Sequence, residues 1–497
     1  MGTNSTAQPA RNYLILADQA SERAPANDCN CACPSPPTSA DRPTQPAGAM
    51  LRVATGLRLT ELDAQHLIAF VPSFSKVAVI NEATQGLLGS FATGRSLAGA
   101  TEAEQAAASR LYELGLLQAI GDAPSPPGAS PELIAWMHVT NACNLRCTYC
   151  YLDKTNEAMS AETGLQSVAM VFRMAQTHGY RRVLFKYAGG EASLNLPLVK
   201  SLHQHARSLS AETGIELDGV VLSNGLGLTQ GKLAVILDLG LRLMISLDGL
   251  AAYHDAQRPT VNGKGSHRAV SASIERAQAM GVPLSVSITI TEQSVAGLGE
   301  VVAWLLAREI HFTLNFYREN ECSSSREELR LNEQHLIDGM EAVYAVIQRS
   351  LPAYSLLGCL LDRANLTAAH GRPCAVGENY LVIDHYGNIA KCQMEIERPV
   401  ATIWDQDPLL AIRIDPGGVQ NMRVEAKSGC KDCEWRYWCA GGCPIATFRA
   451  TGRYDVQSPN CGIYKALYPS VLRLEGLRLL RQGTAHVSAT RRPMGAE

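Results

Sequence analysis

The sequence predicts an α/β fold built on a parallel sheet, with smaller modules on either side. Three observations lead there. The 497 residues exceed the roughly 250–300 at which a single core stops growing, so two to four domains are expected. Between residue 133 and about 318, short apolar runs alternate with longer helical patterns. A loop carrying three cysteines, "CNLRCTYCY", follows the first of those runs, where α/β folds place their chemistry.

Residues 1–49 contain "CNCACPSPPTSADRPTQPAGA", rich in Pro, Ala, Ser and Thr, and are expected to form a disordered arm. Residues 50–122 change character: "HLIAFVPSFSKVAVINEATQGLLGSF" suggests two short strands and a helix, and "EAEQAAASRLYELGLLQAI" a second amphipathic helix. Prolines then mark 123–132 as a linker. From 133 to 350, "LIAWMHVT", "RVLFKYAGG", "GVVLSNG", "RLMISLDG", "LSVSITIT" and "HFTLNFY" read as strands, with helices such as "SAETGLQSVAMVFRMAQTHG" between them. Such units imply a parallel sheet, either open and doubly wound or closed toward a barrel. Residues 351–470 are cysteine-dense and rich in loops, and 471–497 form a terminal helix and tail.

Composition narrows the functions. A hydrophobic fraction of 46% with 18% charged residues is that of an ordinary globular protein, and a net charge of -3 argues against a general nucleic-acid binder. The N-terminus lacks the basic and apolar regions of an export signal, and no apolar run reaches about 18 residues, so a cytoplasmic, non-membrane protein is expected. Fifteen cysteines in a reducing compartment point to metal or cluster ligation rather than disulfides.

Cys143, Cys147 and Cys150 supply three thiolates where a structural zinc would want four. A four-iron cluster held by three thiolates keeps one iron open for another ligand. The plainer alternative is three incidental cysteines in a βα loop. The spacing resembles the CxxxCxxC signature of the radical S-adenosylmethionine (SAM) superfamily, with Tyr149 at its aromatic position. The resemblance extends over most of 133–318 and implies a partial (β/α)6 TIM-type barrel, a 4Fe-4S cluster and bound S-adenosyl-L-methionine. "YAGGEA" is similar to the glycine-glycine-glutamate motif, which implies that Gly189, Gly190 and Glu191 hold the methionine ammonium; Ala192 stands where the family often has proline. "LSNG" brings in Ser223 and Asn224, and "ISLDG" with "HDAQRP" brings in Ser246, Asp248 and Arg258. The same resemblance implies a 5'-deoxyadenosyl radical that abstracts hydrogen from an unactivated C–H bond. No general acid or base is singled out.

Downstream, "CAVGENYLVIDHYGNIAKC" and "CKDCEWRYWCAGGC" are followed by Cys461. This seven-cysteine pattern resembles SPASM domains, which carry auxiliary clusters on radical maturases; a zinc ribbon is the alternative. The resemblance implies that Cys430, Cys433, Cys439 and Cys461 ligate a distal cluster and Cys374, Cys392 and Cys443 a nearer one, making three 4Fe-4S clusters in all. Tyr380 occupies the position of a further cysteine in sulfatase-maturing relatives. Cys359, Cys322, solvent or a substrate thiolate remain as fourth ligands of the nearer cluster.

The 50–122 module resembles peptide-recognition domains of peptide-maturation pathways, through "VAVINEATQGLLGSF" and "LYELGLL". That implies a small winged-helix-like α+β unit that binds the leader of a ribosomal precursor peptide by strand addition; an ordinary packing domain is the alternative. The expected function is a peptide maturase that installs a thioether or carbon–carbon crosslink, supplied by a flavodoxin- or ferredoxin-type electron donor. A sulfatase-maturing formylglycine-forming enzyme and a noncatalytic iron-sulfur redox protein are the rivals. Cys29, Cys31 and Cys33 in the arm are left as incidental, metal-binding or substrate-like.

Overall fold

A computed structural model describes residues 12–18, 48–72, 76–121, 130–367 and 369–490. The chain opens with an α+β unit of β1 (Ile15–Leu16), β2 (Leu51–Val53), β3 (Arg58–Asp63), β4 (His66–Phe70), β5 (Ala78–Asn81), α1 (Glu82–Gly89), α2 (Glu102–Glu113) and β6 (Leu117–Ala119). Asn81 caps α1, and Thr101 with Glu104 forms a capping box on α2. The main sheet is antiparallel in the order β1-β5-β4-β3, with β3 at an edge.

The expectation of a disordered arm over 1–49 is corrected at residues 12–18. The apolar run Tyr13–Ala17 supplies β1, which pairs Ile15 with Ile80 and Leu16 with Val79. The Asn81 amide anchors it, donating to Asn12 O and accepting from Leu14 N. Residues 19–47, including Cys29, Cys31 and Cys33, and residues 122–129 of the linker lie outside the described residues.

Six parallel strands follow: β7 (Glu132–His138), β8 (Arg182–Ala188), β9 (Glu216–Ser223), β10 (Arg242–Ser246), β11 (Leu284–Ile290) and β12 (His311–Phe316). Between and after them run α3 (Ala161–Thr177), α4 (Leu196–Thr213), α5 (Gln230–Asp238), α6 (Ala252–Gln257), α7 (His267–Ala279), α8 (Leu298–Leu306) and α9 (Glu333–Arg349). The strands lie in sequence order, which excludes a doubly wound sheet, and β7 does not pair with β12, so the barrel is partial. Alternation along β7 sends Leu133, Ala135 and Met137 outward to the helices and Ile134 and Trp136 inward with Leu184, Val220 and Met244.

The C-terminal region adds β13 (Tyr380–Ile383), β14 (Asn388–Ala390), β15 (Ala401–Thr402), α10 (Pro408–Ile414), α11 (Arg436–Cys439), α12 (Pro444–Thr451) and α13 (Cys461–Thr490). It is not set apart from the barrel as the sequence suggested. Strand β13 runs parallel to β7, so a hairpin from this region extends the barrel into a nine-stranded sheet. This pairing satisfies the edge that an incomplete barrel leaves open at β7. The terminal helix starts at Cys461 rather than after 470 and packs against both α9 and the N-terminal sheet. Arg478, 1% exposed, ties these parts together through Glu475 and Asp18, each at 2.6 Å. Among the described residues no helix is long and apolar enough to cross a membrane.

Candidate functional site

Strand β7 ends at His138, and the chain turns through Thr140–Ala142 into the loop of Cys143, Cys147 and Cys150, all half-buried. The end of β8 presses on this turn. Gly190 N donates to Thr140 O at 2.8 Å and Glu191 N to Ala142 O at 2.9 Å. A Cβ on Gly189 would sit 2.2 Å from Thr140 O, and one on Gly190 would sit 2.5 Å from Ala142 O, so only glycine allows this approach.

Glu191 is 1% exposed, and its carboxylate accepts from Ser193 N at 3.0 Å, Ser223 Oγ at 2.7 Å and Asn224 N at 2.6 Å. The ends of β8 and β9 are thereby locked together beside the cysteines. Asn224 Nδ2 donates to Asn144 Oδ1 at 2.7 Å and reaches Cys143 Sγ at 3.7 Å. On the other flank, Asp248 is fully buried and accepts from Tyr149 Oη at 2.6 Å, Arg258 Nε at 2.6 Å and Thr289 N at 2.8 Å. Arg258 Nη1 lies 3.9 Å from Cys147 Sγ. Burial pushes the Cys147 thiol up to about 12, despite the nearby arginine, so a bound metal centre would have to drive its ionisation. Lys154, which burial would push down, is held above its ordinary value by Cys150.

These groups line a cavity of about 210 Å³ inside the barrel. Tyr149, Gly189, Gly190, Glu191, Ser223, Asn224, Ser246 and Arg258 all face it. Asp248 is the exception: its carboxylate is enclosed by its three donors and does not line the cavity, so it braces Tyr149 and Arg258 instead of meeting a ligand.

The cavity extends to Cys392 and Cys443. With Cys374, these three buried cysteines are mutual neighbours. Burial would raise the Cys443 thiol, but Arg318 and Arg363 hold it below the ordinary value. Cys359 is not with them, which corrects its place among the fourth-ligand candidates. Its neighbours in "LLGCLLD" draw it into the outer core, where its thiol donates to Leu356 O and its ionisable neighbours are Tyr344, Tyr354 and Glu475. Cys322 is exposed and sits instead by Tyr151 O and Cys150. Tyr380 is fully buried, and its hydroxyl donates to Gln393 Oε1 at 2.9 Å.

Cys430, Cys433, Cys439 and Cys461 surround a separate small hollow with Tyr464 and Tyr468 on its wall. Among the described residues no three His, Cys, Asp or Glu side chains converge as a single metal ion requires. The sequence did not single out Trp136, Lys154, Arg318, Asn320, Arg363 or Gln393, all of which line the barrel cavity. Trp136 stands on β7, where alternation marks it only as an apolar inward residue, and the other five come from loops and turns, for which a helical or strand period carries no signal.

Comparison with known proteins agrees with this geometry. Residues 137–305, most of the barrel, match the model of the Radical SAM superfamily, whose members use a 4Fe-4S cluster and S-adenosyl-L-methionine. The chain is 23% identical over 75% of its length to the serine-type anaerobic sulfatase-maturating enzyme of Klebsiella pneumoniae, covering 98% of that protein. It is 28% identical to the sporulation killing factor maturation protein SkfB of Bacillus subtilis over 33% of its own length and 38% of that protein. Among solved structures, native anSMEcpe with bound AdoMet and Cp18Cys peptide superposes with a TM-score of 0.57 at 16% identity, covering 72% of this chain and all of that one. Streptococcus suis SuiB bound to precursor peptide SuiA gives 0.50 at 16% identity, covering 83% of this chain and all of that one.

Proposed function

We propose that this protein is a maturase that binds a ribosomally made precursor peptide through its leader and introduces a thioether or carbon–carbon crosslink. The observation that carries this reading is the single cavity that runs from Cys143, Cys147 and Cys150 to Cys392 and Cys443. The place where hydrogen would be abstracted would then lie beside a second set of cysteines, whose oxidised cluster would take the electron that crosslinking releases.

In this reading Cys143, Cys147 and Cys150 hold the first 4Fe-4S cluster, Cys374, Cys392 and Cys443 the nearer auxiliary one, and Cys430, Cys433, Cys439 and Cys461 the distal one. S-adenosyl-L-methionine held beside that cluster would supply radical hydrogen abstraction from an unactivated C–H bond. The chain's part is placement. Glu191 offers a carboxylate oxygen to the methionine ammonium while Ser223 and Asn224 hold that carboxylate still. Asp248 fixes Tyr149 and Arg258 beside the cysteines. Trp136 Nε1 and Asn320 Oδ1, both buried on the cavity wall, have no partner among the described residues. One donates and the other accepts, the pair of functions that a peptide amide complements. Arg318 and Arg363 favour a thiolate at the auxiliary end.

The open edge of β3 is the proposed leader site. Most of its residues are exposed, and the opposite edge already accepts β1, a short strand from elsewhere in the chain. An electron donor of the flavodoxin or ferredoxin type would reduce the first cluster. Formylglycine formation is the second reading, favoured by the extent of similarity to the Klebsiella enzyme. Tyr380 at the position of a cysteine and the N-terminal sheet weigh against it.

The test is mass spectrometry of an anaerobic reaction with S-adenosyl-L-methionine, a reductant and a short cysteine-containing candidate precursor peptide. A product lighter by two hydrogens with loss of alkylatable thiol supports a thioether. A product that reacts with aldehyde reagents supports formylglycine instead.

A further inference from the structure

The hollow formed by Cys430, Cys433, Cys439 and Cys461 contains two polar groups that thiolate ligation leaves unused. Tyr464 and Tyr468 lie one turn apart on α13, and both line it. They are 1% and 0% exposed; the Tyr464 hydroxyl has no hydrogen-bond partner among the described residues, and the Tyr468 hydroxyl has only the Cys439 thiol beside it. A buried phenol normally finds a partner, because an unmade bond leaves the full desolvation penalty of the O–H uncompensated. The Tyr468 hydroxyl lies against the Cys439 thiol, while Tyr464 neighbours both Cys439 and Cys443 of the adjoining group.

Packing fixes where the rings stand. Tyr468 sits 5.0 Å from the ring of Trp435 and 5.7 Å from that of Trp438, and Tyr464 stacks on Phe316, a wall residue of the barrel cavity, at 6.2 Å. Phenylalanine would fill the same spaces without a buried oxygen, so packing does not account for the hydroxyls.

We infer that Tyr464 and Tyr468 donate O–H···S hydrogen bonds to the sulfurs of a cluster held by Cys430, Cys433, Cys439 and Cys461, and thereby raise its reduction potential. The inference rests on the assignment of a cluster to these four cysteines. Reduction adds negative charge to the sulfurs, so donors aimed at them stabilise the reduced state more than the oxidised one. A distal centre poised upward in this way would draw electrons away from the barrel cavity, through the neighbouring cysteine group whose Cys443 lies near Tyr464.

The experiment is an EPR-monitored potentiometric titration of the reconstituted enzyme, comparing the wild type with Tyr464→Phe and Tyr468→Phe. Each variant should keep its iron and show the distal reduction equilibrium weakened about three- to tenfold, a midpoint lowered by about 28–59 mV at 59 mV per decade. An unmoved or raised midpoint in an iron-replete variant would overturn the inference. Should a variant lose iron, pulsed EPR of the wild type in D2O decides: an exchangeable deuteron coupled to the distal signal supports the hydrogen bonds, and its absence rules them out. Iron analysis showing no cluster at these four cysteines would overturn the assignment itself, a result separable from an unmoved midpoint.

Discussion

Replacing Arg258 with methionine removes one half of the ion pair beneath the cysteine loop. The Arg258 side chain is 7% exposed and that of Asp248 0%, with Nε and the carboxylate 2.6 Å apart. Breaking a buried pair from one side costs about 3–5 kcal/mol, because the remaining charge is stranded. Tyr149 Oη and Thr289 N still donate to Asp248, so the lower end of that range, about 3 kcal/mol, is expected. Arg258→Met should therefore lower the urea midpoint of the metal-free protein, followed by circular dichroism, and reduce the iron retained at Cys147. Asp248→Asn combined with Arg258→Met should recover part of the loss, since no charge is left stranded. A single variant within about 0.5 kcal/mol of the wild type, or a double variant no better than the single, would refute the bracing role.

Three further outcomes are expected. Burial pushes His138, His203, His254 and His311 down to about 4 from the ordinary 6.5. Their contribution to stability is present above pH 6.5 and is lost as pH falls toward 4, because the unfolded chain binds those protons first. His254→Asn should flatten the pH dependence of the unfolding midpoint in that window by up to about 1.4 kcal/mol per pH unit; an unchanged slope would place its titration elsewhere. Cys359→Ala should leave iron content and the auxiliary EPR signals intact, whereas Cys392→Ala should lose the nearer one; loss of that signal in Cys359→Ala would restore Cys359 as a ligand. Successive amides alternate in direction along β3, so of Leu59 and Thr60 one N–H points away from β4. Proline at that position should raise the dissociation constant of a fluorescent precursor peptide while leaving peptide-independent S-adenosylmethionine cleavage unchanged, and equal affinity would remove the β3 edge as the leader site.

Strands β7–β12 were legible because each is a short β-rich run that ends in glycine, threonine or a turn, and the cysteine spacing survived into space as expected groups. What escaped the sequence depends on tertiary partners. Strand β1 is only Ile15–Leu16, too short to stand out from a proline-rich arm until Ile80 and Val79 supply its pairing. "YLVI" at β13 looks like any hairpin strand, and nothing local says that it will lie against Ile134 and extend the barrel. Cys359 and Cys374 differ in placement because of the surfaces their loops face, not because of spacing. Arg363 takes φ of +57°, a left-handed conformation that its own sequence does not announce, and so reaches the auxiliary end of the cavity.

The most direct test of the barrel site is chromatography and mass spectrometry of 5'-deoxyadenosine formed by the reconstituted, reduced protein with S-adenosyl-L-methionine, beside Cys147→Ala prepared in the same way. Deoxyadenosine from the wild type and none from the variant is the expected result. An iron-replete wild type that forms none, or a Cys147→Ala protein that forms as much, would contradict the assignment of Cys143, Cys147 and Cys150 as the cluster that cleaves the cofactor.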